Sequence, residues 1–336
     1  MAYSIRNKAV FALVSFCMAA TALSVAPSTR PRRYTGLGLL AAYLSVYAGS
    51  LYAMVTQGGF DASEALGIAA VLGLGFSLAS WLLTLRARPL LYDVLEPAPE
   101  LFTLLLYMLP LTACVTWGFD WVRRMAPNDP VQAIAIVLAK LAIFVGIPAW
   151  LMRHRFGYFW CELAPESFRR WHMLALVGMA LLVLAFQAVA GRGLRDIHAA
   201  HVPVTTLFWG IPLTFVWLMV EAGVVEEFFF RCLLQSRLSA ALRSELGGIV
   251  IMSLLFGLMH APGLYLRTSV TQEGLPTHPA LWMAIGYSIV ITSVAGFFLG
   301  VLWARTRNFV VVVAVHAAAD LLPDFLPTLR SFHLLQ

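Results

Sequence analysis

Three polar runs, each inside an apolar stretch, hold the residues of this chain whose types and spacing could do chemistry. The runs are Glu226-Glu227-Phe228-Phe229-Phe230-Arg231, Phe256-Gly257-Leu258-Met259-His260 and His316-Ala317-Ala318-Ala319-Asp320. An ionised side chain inside hydrocarbon costs roughly 3 kcal/mol or more, so acids and histidines at such positions are functional candidates by default. Together the three runs predict one buried reaction centre.

Helix geometry divides the two adjacent carboxylates between different tasks. Residues four apart share a helix face, so Glu227 and Arg231 are predicted to form a structural pair. Glu226 is rotated by about 100° from its neighbour, which leaves it free to face the bundle interior as a general base. The alternative is that all three residues lie at a helix end in the membrane interface.

The two histidine runs have simple structural interpretations when each is taken alone. Phe256 lies one turn before His260 and is predicted to pack along the same face. His316 and Asp320 also share a face, so the acid can orient the imidazole or form a local buried pair with it. Considered jointly with the glutamate, these groups match what peptide hydrolysis needs: one group activates water, and others assist proton transfer and stabilise an oxyanion.

The elements that must position these side chains are membrane-spanning helices. The chain has 336 residues, of which 60% are hydrophobic and only 12% are charged, whereas soluble domains carry about 25% charged residues. A spanning helix needs about 20 apolar residues. We therefore predict an all-α polytopic membrane protein with about ten transmembrane helices, at 9–26, 36–55, 65–85, 101–117, 131–152, 171–190, 205–231, 248–266, 281–303 and 309–322.

Prolines and aromatic residues predict several boundaries between these helices. Pro262 and Gly263 are expected to end the helix of His260, and Pro323 to end the last span. The segment 158–170 combines aromatic and basic residues and is predicted to form an interfacial helix. No basic stripe with interleaved aromatics indicates a nucleic-acid partner.

The three runs resemble the signature of the CPBP intramembrane proteases, which reads Glu-Glu-x-x-x-Arg, then Phe-x-x-x-His, then His-x-x-x-Asn or Asp. That family includes the CAAX prenyl endopeptidase of the eukaryotic endoplasmic reticulum and many bacterial proteins of the Abi or bacteriocin-immunity type. The resemblance covers about 205–322. It implies a CPBP-type protease core at 201–336, with a helical bundle around a water-accessible cavity, preceded at 1–200 by transmembrane helices of unknown role.

By this resemblance, Glu226 is the general base, His260 positions or polarises the water, and His316 with Asp320 lines the oxyanion site. The implied hydrolysis needs no cofactor. Two histidines and a glutamate are also a credible zinc set by type, so a metalloprotease mechanism with Glu226, His260 and His316 as ligands stays open. The eukaryotic enzyme has Asn at the position of Asp320, and an ionised Asp cannot donate a hydrogen bond. Asp320 is therefore either protonated or serves to orient His316.

The predicted function is that of a CAAX-like intramembrane glutamic endopeptidase. Its expected partners are membrane lipid and a protein or peptide substrate that is lipid-modified or bears a C-terminal sorting tail, cut near its C-terminus. One alternative is a catalytically inactive scaffold or immunity protein of the same fold. Another is a proton-coupled transporter, because acid and histidine relays also serve proton paths. The composition favours a multi-pass protein of a bacterial inner membrane.

Overall fold

The described part of the chain is a bundle of long apolar helices. A computed structural model describes residues 33–266 and 275–335, which contain helices and no strand. Within these ranges nine helices are long and apolar enough to cross a membrane. We number them α1 Tyr34–Gly58, α2 Ala62–Leu83, α3 Pro97–Met125, α4 Asp129–Phe156, α5 Arg170–Ala190, α6 Val204–Leu242, α7 Glu245–Leu266, α8 Leu281–Thr306 and α9 Phe309–Ser331.

These nine helices coincide with nine of the ten predicted spans. The predicted span at 9–26 lies outside the described residues. The fold class is confirmed: the chain is an all-α, integral, multi-pass membrane protein.

Several helices run further than the sequence predicted. Helix α6 continues past Arg231, α7 continues through Pro262, and α9 continues through Pro323 and Pro327 to its end at Ser331. The predicted helix ends at Pro262 and Pro323 were therefore wrong. A proline removes one backbone donor, and in a membrane bundle the neighbouring helices and local changes in helix geometry offset that loss.

The segment 158–170 is mostly not helical, so the predicted interfacial helix was wrong for most of its length. Only Trp160–Leu163 forms a short helix there. The rest is tied to the turn between α8 and α9: the Phe309 amide donates to the Pro165 carbonyl over 2.8 Å, and the Asn308 side chain donates to the Ser167 carbonyl over 2.7 Å. These long-range hydrogen bonds satisfy two backbone carbonyls that no helix pairs.

Helix α6 has an irregular centre at the position of the two adjacent glutamates. Wide π-helical turns occupy Met219–Val224 and Phe228–Gln235, and the α-helical segment Val225–Glu227 lies between them. π turns inside α-helices are uncommon and occur often at functional sites, because an extra residue per turn redirects the side chains. Similar π-helical segments occur in α2, α3, α4 and α8, so the irregularity accompanies Glu226 and Glu227 without singling them out.

A buried ion pair holds α3 against α6. Arg237 Nε lies 2.8 Å from Glu100 Oε2, and neither side chain is exposed. The Tyr158 hydroxyl donates to the same carboxylate over 2.9 Å. Because a buried charge pair is tolerable only when hydrogen bonds satisfy its remaining groups, this cluster fixes how the two helices meet.

Small residues allow α7 and α8 to approach closely, as is typical of helix interfaces in membranes. A Cβ atom added at Gly257 would lie 2.4 Å from the Ser288 carbonyl oxygen and 2.9 Å from the Ser293 Cβ atom. Gly257 follows Phe256 directly and precedes His260 by three positions. The close contact therefore sets the depth of the second polar run in the bundle.

We expect Gly257→Ala to lower the free energy of unfolding by about 1–3 kcal/mol, the usual cost of overpacking. The backbone of α8 cannot yield as a flexible side chain can. Thermal unfolding in detergent micelles would measure the change. The matched control is Gly49→Ala on α1, where no heavy atom lies within 4 Å of the added Cβ, and where we expect no loss. An equal loss at both positions would contradict the packing argument.

Candidate active site

The Glu226 carboxylate from α6 faces histidines from two other helices. Its Oε2 atom lies 4.0 Å from His260 Nε2 on α7 and 3.9 Å from His316 Nε2 on α9. Both distances are too long for a direct hydrogen bond and suit one bridging water. The side chain of His260 is 38% exposed and that of Glu226 is 18% exposed, so the meeting point is accessible. The expected convergence of the three residues is observed.

Hydrogen bonding assigns the tautomer of His260. Its Nδ1 atom lies 2.8 Å from the Phe256 carbonyl oxygen, and a carbonyl can only accept, so Nδ1 carries the proton. In the neutral ring Nε2 is then an acceptor, and this is the nitrogen that faces Glu226. A water molecule between the two acceptors would donate one hydrogen to each and direct an oxygen lone pair away from both.

Glu227 binds two partners at the buried side of the site. Its Oε2 atom lies 3.2 Å from Arg231 Nε, the pair predicted from the four-residue spacing. Its Oε1 atom lies 2.7 Å from His316 Nδ1. The second contact was not predicted, because it joins residues 89 positions apart and no local pattern encodes it. Through it, the pair on α6 orients the imidazole of α9.

The other ring nitrogen of His316 faces Asp320. The distance from Nε2 to Asp320 Oδ2 is 3.3 Å. Both ring nitrogens thus face a carboxylate, Glu227 on one side and Asp320 on the other, and both donate when the ring is protonated. Glu227 thus also contacts the imidazole whose orientation was one of the two alternative roles predicted for Asp320.

Phe256 packs at the centre of this cluster. The Arg231 Cζ atom lies 4.7 Å from the centre of the Phe256 ring, and the His260 ring centre lies 4.9 Å from it. Among the described residues the terminal guanidinium nitrogens of Arg231 have no hydrogen-bond partner. The face of an aromatic ring attracts a cation, more strongly where water is excluded, so Phe256 supports the buried arginine.

The meeting point of Glu226 and His260 borders a cavity of about 340 Å³. Glu226 and His260 form part of its wall, and most of the other wall residues are apolar. Those from α6 and α7 include Phe230, Met259 and Leu264, and those from α3 and α4 include Val115, Phe119 and Phe144. The size fits a small-molecule or peptide-tail ligand, since such pockets usually measure roughly 300–1,000 Å³.

A comparison with protein families identifies this arrangement. Residues 207–322 match the family model described as Rce1-like, the type II CAAX prenyl endopeptidase Rce1-like family. The chain carries an Rce1-like domain. The match contains all three polar runs, which confirms the resemblance to the CAAX-protease-like family. No curated protein and no solved structure matches the chain.

The Rce1-like domain does not build the cavity alone. Its match begins at residue 207, whereas α3 and α4 lie before it and supply Val115, Phe119, Lys140 and Phe144 to the wall. No role was predicted for these helices. Apart from Lys140, the side chains concerned are of the same types as those that face lipid, so sequence alone carried no signal for them.

Asp324, two positions beyond the end of the Rce1-like match, is a further polar residue of α9 that was not predicted to belong to the site. It continues the spacing of His316 and Asp320 by four positions on α9, and it lines a second cavity of about 470 Å³ together with Glu221. The signal was present as an i, i+4, i+8 pattern. The predicted helix end at Pro323 removed it from consideration.

The polar groups of the domain do not form a ready zinc site. Among the described residues no group of three or more His, Cys, Asp or Glu side chains is arranged to hold a metal ion. Tetrahedral zinc ligands at about 2.0–2.1 Å from the metal lie roughly 3.4 Å apart, whereas Glu226 is 3.9–4.0 Å from both histidines. His316 Nε2 is directed closer to Asp320, at 3.3 Å.

Proposed function

We propose that this protein is an intramembrane endopeptidase that hydrolyses a peptide bond near the C-terminus of a membrane-associated or lipid-modified protein, using glutamate-activated water. The Rce1-like match supports a CAAX-type intramembrane protease at the level of the family. The observation that carries the mechanism is the position of Glu226 Oε2 at 4.0 Å from the acceptor nitrogen of His260. We further propose the inner membrane of a bacterium as the location.

In the proposed first step, a water held between Glu226 and His260 gives a proton to Glu226 while its oxygen attacks the carbonyl carbon. A positioned base of this kind contributes about 10²–10⁴ in rate. The electron pair of the carbonyl moves to its oxygen, and protonated His316 donates from Nε2 a three-centre hydrogen bond that this oxyanion shares with Asp320. Glu227 holds the imidazole at Nδ1 throughout, which supports this orientation.

In the proposed second step, the tetrahedral intermediate collapses and the carbon–nitrogen bond breaks. The proton held by Glu226 passes to the leaving amine, so the base of the first step is the acid of the second. The products are a carboxylate and an amine, and no covalent enzyme intermediate forms. We propose that neither a cofactor nor a metal takes part.

The role of Asp320 is testable by conservative substitution. If Asp320 orients His316 through a hydrogen bond, Asp320→Asn should keep the rate within about tenfold of wild type, because the amide oxygen still accepts from Nε2. Asp320→Ala should be clearly slower, since one contact of the imidazole is lost. Initial rates on the same peptide substrate would measure both. Equal rates for Asn and Ala would remove Asp320 from the mechanism.

The function itself is tested by comparing the membrane proteomes of cells that carry wild-type protein and cells that carry Glu226→Gln. We expect one or more membrane-associated proteins to accumulate with an uncut C-terminal segment in the variant, and peptide mass spectrometry would identify the cut bond. Identical C-termini in the two strains, with both proteins expressed at the same level, would contradict the proposal and favour a non-catalytic role.

A further inference from the structure

Lys140 is a basic residue within a membrane-spanning helix, outside the Rce1-like domain. It lies in α4, between two cavities. It lines the cavity of Glu226 and His260, and its ammonium group forms an ion pair with Glu221 of α6, which borders the second cavity beside Asp324. The pairing explains how the charge is tolerated. It does not explain why a cation forms part of the wall of the reaction cavity.

The ammonium group has a donor to spare. A lysine carries three N–H donors, and within the described part of the chain the Lys140 side chain has two acceptors, both from Glu221: a carboxylate oxygen, and the backbone carbonyl oxygen at 3.4 Å. The side chain is 18% exposed. It is the one Lys or Arg side chain among the described residues that line this cavity. The third donor is thus available to a ligand in the cavity.

The wall of the cavity carries two side chains of opposite charge, Glu226 and Lys140. A carboxylate bound beside Glu226 would be repelled by it, whereas a neutral peptide bond would not. A carboxylate beside Lys140 would gain a charge-assisted hydrogen bond in a largely apolar surrounding, where such bonds are strong. A peptide with a free C-terminus therefore has one favoured orientation, with its terminal carboxylate at Lys140 and an internal peptide bond at Glu226.

We infer that Lys140 binds the C-terminal carboxylate of the substrate and thereby selects a peptide bond close to the C-terminus. The inference rests on the proposed function and adds a residue that determines specificity, supplied by α4. Glu221 neutralises Lys140 in the empty cavity and competes with the bound carboxylate for its ammonium group.

The test separates binding from cleavage. Two farnesylated peptides of identical sequence, one with a free C-terminal carboxylate and one with a C-terminal amide, would be titrated against Glu226→Gln protein in lipid nanodiscs. Because this background cannot use Glu226 as a base, the dissociation constants are measured without turnover. We expect the acid to bind roughly tenfold more tightly than the amide, the gain of one charge-assisted contact.

The decisive variants remove or keep the charge of Lys140 in that background. Lys140→Gln should bring the acid-to-amide ratio close to one by weakening only the acid, and Lys140→Arg should keep the preference. Lys140→Gln leaves the Glu221 carboxylate without its ion-pair partner and can therefore destabilise the fold. The double variant Lys140→Gln with Glu221→Gln removes both charges, so it tests the same loss of the ammonium group in a folded protein. Glu221→Gln alone is the control, and it should keep or increase the preference for the acid.

A ratio that stays unchanged in the folded double variant, or no binding of the acid peptide to the parent protein, would overturn the inference. The proposed function has a separate readout, because cleavage of the acid peptide is measured with Glu226 intact. Cleavage with an unchanged ratio contradicts the role of Lys140 alone. A Lys140-dependent ratio without cleavage contradicts the endopeptidase proposal alone.

Discussion

Glu226→Gln is expected to lower kcat by about 10²–10⁴-fold, the contribution of a positioned general base. Glutamine matches glutamate in size and still accepts a hydrogen bond from water, so the cavity and substrate binding should persist while proton abstraction is lost. Purified protein in nanodiscs, assayed on a peptide taken from the accumulated precursor, would give kcat and KM separately. We expect KM to change little.

The control for this prediction applies the same substitution away from the cavity. Glu245 begins α7, pairs with Arg307 and has a side chain that is 55% exposed, so Glu245→Gln should leave kcat unchanged.

A chelator provides the second comparison. If water is activated by Glu226 without a metal, wild-type activity should survive prolonged treatment with phenanthroline. A Glu226→Gln variant of normal activity would refute the assignment, and loss of activity with the chelator, restored by zinc, would favour the metalloprotease alternative.

The sequence predicted the parts of the site that follow from local spacing. The pairing of Glu227 with Arg231 and the shared face of His316 and Asp320 are consequences of helix geometry, and both occur in the structure. Nine apolar spans were equally predictable, because hydrocarbon thickness fixes their length. What joins α6 to α9 was not predictable. The hydrogen bond from His316 to Glu227 depends on how two helices pack, which a single sequence does not encode.

The wrongly predicted helix end at Pro323 had a consequence for the predicted site. The rule that proline ends a helix holds where water is the competing partner for the backbone. In a membrane bundle, neighbouring helices replace water, and α9 continues through Pro323. Because the predicted helix stopped there, Asp324 was missed. The second cavity, and with it the position of Lys140 between two cavities, followed only from the assembled helices.

Arg231→Met is expected to lower the free energy of unfolding by about 3 kcal/mol, the low end of the usual cost of breaking a buried ion pair, because Glu227 keeps its hydrogen bond to His316. Neither Arg231 nor Glu227 has any exposed side-chain surface, so water cannot replace the missing charge. The loss should also release the Phe256 ring, on which the guanidinium lies. Unfolding in mixed micelles of increasing denaturing detergent would measure it.

The surface pair of Arg123 with Asp120 is the matched control for this prediction. It is separated by three positions on α3, with side chains that are 36% and 53% exposed, so Arg123→Met should cost no more than about 1 kcal/mol. A similar loss in both variants would show that the Arg231 side chain contributes packing rather than charge.

The double variant Arg231→Met with Glu227→Gln separates stability from catalysis. Removing both charges together leaves no buried ion without a partner, so most of the lost stability should return. Activity should not return with it, because Glu227→Gln removes the charge-assisted hydrogen bond that holds Nδ1 of His316 in the proposed mechanism. A double variant that recovers both would reduce the pair to a structural element. One that recovers stability alone would place Glu227 in the mechanism as the residue that positions His316.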